Sequence, residues 1–199
     1  CPNRGVHAEK IDAISEQVQR IAAIVRCLAE LAWIRNPSGE PSDAIAAGEL
    51  LRPGLLARIA GEGIRFEVEE QPGLPFVRCA VADVQQILIH LVLNAGDAIR
   101  SRGAEGQSVS GRIRIRARVV EKPGRSCVRI SVEDDGPGIP FEVRDRVFEP
   151  FFTTRTRATH KGLGLSVSRG LAAEMGADLD LECAPDATRF HLDLPIVLQ

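Results

Sequence analysis

Between Ile11 and Ala32 the apolar residues Ile11, Ile14, Val18, Ile21, Val25, Leu28 and Ala32 recur at alternating steps of three and four. This spacing predicts a long helix to about Arg35 whose seam packs on a partner helix in a coiled coil or antiparallel bundle. Glu9, Asp12, Glu16, Gln19, Arg20 and Arg26 lie on its flanks. An amphipathic helix lying on its own domain would carry the same stripe. Pro37, Ser38, Gly39 and Pro41 stop the helix and open a linker to about Gly48. The chain therefore divides into a helical segment over 1–36, a linker over 37–48 and a second domain over 49–199.

In that second domain a short helical stretch from Leu50 to Ile59 precedes a strand, Ile64 to Glu69, in which Ile64, Phe66 and Val68 alternate with polar residues. Val81 to Arg100 has the strongest helical pattern, with Val84, Ile87, Leu88, Leu91, Ala95 and Ala98 on one side. Ile113 to Val120 and Val128 to Val132 alternate as two strands joined through Lys122, Pro123 and Gly124, which predicts a hairpin. A glycine- and proline-punctuated stretch from Gly136 to Gly164 follows. It leads to a helix from about Leu165 to Met175 and two closing strands, Leu179 to Cys183 and Arg189 to Leu194. The order predicts an α+β fold in which helices cover one face of a mixed sheet.

Composition narrows the function classes. With 44% hydrophobic and 26% charged residues among 199, the chain reads as an ordinary globular protein, and no apolar run approaches the roughly 20 residues that span a bilayer. A formal net charge of −2 gives no broad basic field, which argues against nucleic acid as a partner. Five scattered cysteines, with no CxxC pair, and four dispersed histidines point to a reduced, cytoplasmic setting and to a metal that arrives with its ligand. The only methionine is Met175, so the sequence reads as a piece cut from a longer protein or one whose initiator was removed before Cys1.

Four local patterns carry chemistry. On the long helix, Asn94 is an amide in an apolar stretch, and His90, Asn94 and Asp97, at steps of four and three, share a face. Asp134-Asp135-Gly136-Pro137-Gly138-Ile139 follows a strand. Its glycines allow a sharp turn and close approach of a flat ligand, while a carboxylate accepts hydrogen bonds from an exocyclic amine. Phe148-Glu149-Pro150-Phe151-Phe152-Thr153-Thr154-Arg155 places three of the seven phenylalanines within five positions of a loop, an arrangement that docks a loop onto something. Lys161-Gly162-Leu163-Gly164-Leu165-Ser166 opens a helix, where free N–H groups and the helix dipole favour an anion. Singly, each also reads as packing, turn or capping chemistry.

Together and in this order, the four patterns resemble the asparagine, glycine, phenylalanine and second glycine boxes of histidine kinases within the gyrase B, chaperone, kinase and MutL ATPases, which share the Bergerat fold. The resemblance covers Leu50 to Pro195 and includes the approach Val81 to Leu88 and the closing Thr188-Arg189-Phe190. It implies a Bergerat-type sandwich preceded by part of a dimerisation and phosphotransfer helix. It also implies that ATP and Mg²⁺ bind, with Asn94 as the metal ligand and His90 and Asn94 as the catalytic pair.

Asp134 is implied to take the adenine amine, Gly136, Gly138 and Ile139 to shape the pocket, and Gly162, Leu163, Gly164 and Leu165 to border the phosphates. Asp97 and Phe148 belong to the same implied site. Residues 140–164 are implied to form an ATP lid in which Arg155, Arg157 or Lys161 meets the γ-phosphate. The implied partners are the acceptor-histidine helix, a response regulator and a second copy in a homodimer, with the parent either free in the cytoplasm or membrane-anchored.

Two positions depart from the family pattern. His90 stands where kinases usually carry a second asparagine and the hydrolysing relatives a glutamate, and His160 stands where a glycine often opens the last box. A phosphoacceptor box, a histidine followed by an acidic residue and then a proline, is also missing. His7-Ala8-Glu9-Lys10 lacks the proline, and the acceptor is expected upstream of Cys1. Serine kinases of the anti-sigma type, or a nucleotide-binding pseudokinase scaffold, are the alternative functions.

Overall fold

The computed structural model describes residues 44–46, 51, 53–60, 63–103, 109–154, 162–184 and 187–197, all within the compact unit Gly39–Gln199. The helix expected from Ile11 onward lies outside the described residues. The elements are β1 (Ala44–Ala46), α1 (Pro53–Ala60), β2 (Ile64–Glu70), β3 (Phe76–Arg78), α2 (Val81–Arg100), β4 (Gly111–Lys122), β5 (Arg125–Asp134), a 3-10 helix (Phe141–Arg146), α3 (Gly164–Glu174), β6 (Asp178–Ala184) and β7 (Ala187–Pro195).

Five strands form one mixed sheet in the order β2-β4-β5-β7-β6, with β2 parallel to β4 and every other neighbour antiparallel. The expected α+β layering is therefore present. β1 falls in the stretch expected as linker, yet it pairs antiparallel with β3. Three-residue strands are too short to display a period-two pattern, which is why neither was visible in the sequence.

The period of two sorts the sheet residues between two unlike faces. Ile113, Ile115, Val128, Ile130, Val132, Leu192 and Leu194 are buried against Val84, Ile87, Leu88, Leu91 and Ile99 of α2. Burial of each such side chain stabilises the fold by about 1.5–3 kcal/mol. No side chain caps α2 at Ala80, but Asp83 in its first turn and Arg100 in its last match the helix dipole. The inner layer is therefore α2 lying on β4 and β5, with α1 and α3 packed against it.

The outer face is charged. Glu67, Arg114, Glu133, Arg189 and Glu182 are successive register partners across all five strands. Arg114 Nε lies 3.0 Å from Glu67, and Arg189 lies 2.6 Å from Glu133 and 2.8 Å from Glu182. Alternating signs suit such cross-strand pairs, each worth about 0.2–1 kcal/mol. At the far end Asp193, fully buried, accepts two hydrogen bonds from Arg129, of 2.7 and 2.8 Å, and pairs with Lys122 beside the β4–β5 turn.

Asp193→Ala takes from Arg129 its bidentate partner, while Lys122 keeps Asp178 at 2.9 Å, and is expected to cost about 3–5 kcal/mol, measured as a fall in unfolding free energy by urea titration. Burial alone would raise the Asp193 carboxyl, but hydrogen bonds from Arg129 and Lys122 outweigh it and hold the group below the ordinary carboxylate range. Its stabilising contribution is complete above the unfolded value of about 3.9 and is lost as pH falls through the lower folded value. The advantage of wild type over Asp193→Asn should shrink over that acid range.

Candidate functional site

α2 is the element on which the site is assembled. Near its N-terminus Asp83 lies by Glu174 of α3; burial first, and then the Glu174 charge, raise its carboxyl. Seven residues further along α2, His90 Nδ1 is 3.1 Å from Ser168 Oγ. The pairs 83 with 174 and 90 with 168 make α2 and α3 antiparallel, so Asn94, one turn beyond His90, stands toward the start of α3. Asn94 is half-buried and shares a helix face with His90 one turn earlier, and its amide oxygen is a hard donor of the kind that suits a hard cation.

The glycine turn after β5 leans on the other end of α2. Asp134 closes the run of inward residues Val128, Ile130 and Val132 and is only 3% exposed, its Oδ1 accepting a 2.9 Å hydrogen bond from Gly136 N–H. A Cβ added at Gly136 would fall 2.6 Å from that carboxylate oxygen and 2.9 Å from Ala98 Cβ. The turn can therefore rest on α2 only with glycine at this position. Gly138 takes φ 76°, a left-handed conformation, and Ile139 packs on the core while its carbonyl accepts a 3.0 Å bond from Arg144.

The first part of the expected lid is anchored. Phe148 meets Phe190 edge-on at 6.2 Å, with the Arg169 guanidinium 4.8 Å above it, and Arg146 lies 4.5 Å over Phe152. Phe151 N–H donates to Gly162 O at 2.8 Å. A side chain on Gly162, at φ 67°, would run into the Phe151 and Phe152 backbone. Leu163 precedes α3 without a side-chain cap, Gly164 is the first residue of α3, and Leu165 packs on the core. The first N–H groups of a helix have no intrahelical partner, and that end carries partial positive charge.

The structure thus gathers His90, Asn94, Asp134, Gly136, Gly138, Ile139, Gly164 and Leu165 around α2 and the start of α3. Asp97 has a different described partner, Arg100 at 2.6 Å, which in turn donates to the Ala60 carbonyl of α1. Arg155, Arg157, His160 and Lys161 lie outside the described residues. Sequence reasoning gave no role in the site to three residues. Thr188, 3% exposed, is the register partner of Asp134, and its signal was a lone polar residue on the otherwise apolar inner side of β7. Cys183, whose thiol is pushed up mainly by burial, shares a hydrogen bond with the Ile139 backbone. Ser168 carried no signal beyond being polar.

Residues 80–198 match the model of the histidine kinase-, DNA gyrase B- and HSP90-like ATPases. The chain belongs to this family. It is 34% identical over 193 residues to the two-component sensor PprA of Pseudomonas aeruginosa, covering 94% of this chain and 20% of that protein. It is 30% identical over 204 residues to the sensor kinase CckA of Brucella abortus, again covering 94% of this chain and 20% of the relative. The chain spans about one fifth of the length of both. The catalytic domain of the histidine kinase ThkA matches with a TM-score of 0.59 at 28% identity, covering 77% of this chain and 95% of that domain. The ATP-binding domain of the family accordingly occupies the part of the chain that carries α2, the glycine turn and α3.

In this ATPase domain, Gly136→Ala is expected to destabilise the fold by about 1–3 kcal/mol, because the added Cβ would fall 2.6 Å from the Asp134 carboxylate and 2.9 Å from Ala98 Cβ, which the α2 backbone carries. Thermal unfolding checks this, with Gly124→Ala, where nothing lies within 4 Å but φ is 82°, reporting backbone strain alone.

Proposed function

We propose that the chain is the catalytic portion of a two-component sensor histidine kinase, moving the γ-phosphoryl group of ATP to a histidine on an acceptor helix of its parent protein. The observation that carries this reading is the convergence on α2 of a buried strand-end carboxylate, Asp134, and an uncapped helix start at Gly164, with Asn94 on the face between them. An adenine amine donates to Asp134. The phosphates lie toward the first turn of α3, whose N–H groups and dipole favour negative charge. Arg155, Arg157 or Lys161 is the candidate for the γ-phosphate.

Positioning and charge neutralisation are most of what phosphoryl transfer asks of a protein. Asn94 would hold Mg²⁺ through its amide oxygen, phosphate oxygens and water completing the shell, and the ion supplies neutralising charge when bound. The half-buried amide on the face toward α3 fits that role. A homodimeric parent, a response regulator as the next acceptor and a cytoplasmic setting complete the proposal. Among the described residues no helix is long and apolar enough to cross a membrane.

Two measurements test it. Asp134→Ala is expected to weaken a fluorescent ATP analogue by about ten- to 150-fold, the worth of one charge-assisted hydrogen bond. Asn94→Ala should weaken it more with Mg²⁺ than without. Unchanged affinity in a folded Asp134→Ala chain, or equal losses with and without the ion for Asn94→Ala, contradicts the assignment.

With γ-labelled ATP, the chain alone is expected to gain no acid-labile label, while a supplied acceptor domain of the parent becomes labelled at a rate rising with its concentration. Acid-labile label lost in His7→Ala would place the acceptor in this chain. Acid-stable label on a partner would select the serine-kinase alternative.

A further inference from the structure

His90 departs from the asparagine usual at its position, and its contacts give that departure a role. Its Nδ1 is 3.1 Å from the hydroxyl of Ser168, a residue with no exposed surface, 78 positions away in the chain. The same ring lies along the first turn of α3. A Cβ built on Gly164 would sit 3.7 Å from His90 Cγ, an ordinary contact distance. Gly164 and Ser168 are one helical turn apart, so the imidazole touches both ends of that turn.

Asparagine and histidine share a geometric property here. Nδ1 of histidine and the terminal amide atoms of asparagine are each three bonds from Cα, whereas a glutamate carboxylate oxygen is four bonds away. An asparagine at position 90 reaches the same point with a hydrogen-bonding atom. Glutamate in the same rotamer overshoots it.

The geometry points to His90 as a positioning residue that sets the start of α3, and hence the phosphate-facing N–H groups, relative to Asn94 through its bond to Ser168. This inference rests on the nucleotide reading of the site. Through this Nδ1 bond the imidazole acts on the nucleotide by placing Gly164. The resemblance alone would have given position 90 a direct part in the chemistry.

The test compares nucleotides with and without phosphates in the full 199-residue chain, by competition of ATP and of adenosine against a fluorescent ATP analogue in Mg²⁺. His90→Phe keeps a ring but no hydrogen-bonding atom, Ser168→Ala removes the other partner in a helix-favouring way, and His90→Asn restores an atom at the Nδ1 position. Loss of one buried hydrogen bond predicts roughly three- to tenfold weaker ATP binding in His90→Phe and in Ser168→Ala. The double variant should be no weaker than the worse single variant, and His90→Asn should recover most of the loss. Adenosine affinity should stay within about twofold throughout, because Asp134 and the glycine turn lean on α2 at Ala98, remote from this contact.

Full ATP affinity in Ser168→Ala, additive losses in the double variant, or a His90→Asn as weak as His90→Phe would overturn the positioning role. An equal loss of adenosine and ATP would reduce it to general packing. Failure of the wild-type chain to bind ATP would instead overturn the nucleotide reading itself.

Discussion

The close approach of backbone to α2 is the constraint on which the molecule depends. Three separate segments reach the same helix, two of them where a missing side chain leaves room. At Gly96 an added Cβ would lie 2.9 Å from the Ala60 carbonyl that ends α1; at Gly136 it would strike Ala98; Gly164 opens α3 beside the His90 ring. Protein interiors are close-packed, so displacement at one contact is passed on rather than absorbed. α2 itself is fixed from below, because Ile87, Leu88 and Leu91 are fully or almost fully buried on the sheet. The carboxylate, the amide and the helix start therefore take their spacing from one rigid body, as a site needing accurate positioning requires.

The opposite face of the sheet has no second layer of helices among the described residues, and its residue types account for this. Arg114 and Arg116 project from β4 between Glu67 and Glu69 on one side and Glu133 on the other. His191 lies between Ser131 and Glu182. Long arginine stems cover the strand backbones while their heads pair with neighbours, so the surface is polar without an unbalanced field. The outer ladder adds modest stability per pair. Its larger effect is to leave only the inner face apolar, which fixes where the helices, and with them the site, must lie.

How far the sequence disclosed this arrangement followed from the range of each interaction. α2 was legible end to end, because 20 residues of helical periodicity average out local noise. β4 and β5 were legible as strands but extend further than expected, through Gly111 and Arg125, because pairing with a neighbour continues after the apolar alternation stops. The 3-10 helix at Phe141–Arg146 was hidden within a stretch read only as loop. The glycine turn after β5 was legible because its spacing is local. Cys183 and Ser168 were given no role because what distinguishes them is a neighbour 44 and 78 positions away in sequence, set by packing between elements. No window along the chain contains that information.

Binding and transfer differ physically in what they require, and this explains how one compact unit can carry the first alone. Asp134, Asn94 and the start of α3 all belong to one compact unit and need no second body to reach their relative positions. Transfer needs a nucleophile delivered to the γ-phosphate, and its rate depends on the effective concentration of that nucleophile, which a shared chain or dimer raises and free diffusion does not. Phe141 and Phe151, 79% and 69% exposed, lie between the glycine turn and α3. Phe151 holds φ 65° there, a conformation costly for a bulky residue, and its N–H is tied to Gly162 two residues before α3 begins. The backbone that presents an exposed aromatic side chain is thus coupled by one hydrogen bond to the backbone that leads into α3. Any body docking on Phe151 would bear on the position of Gly164 through the same short connection.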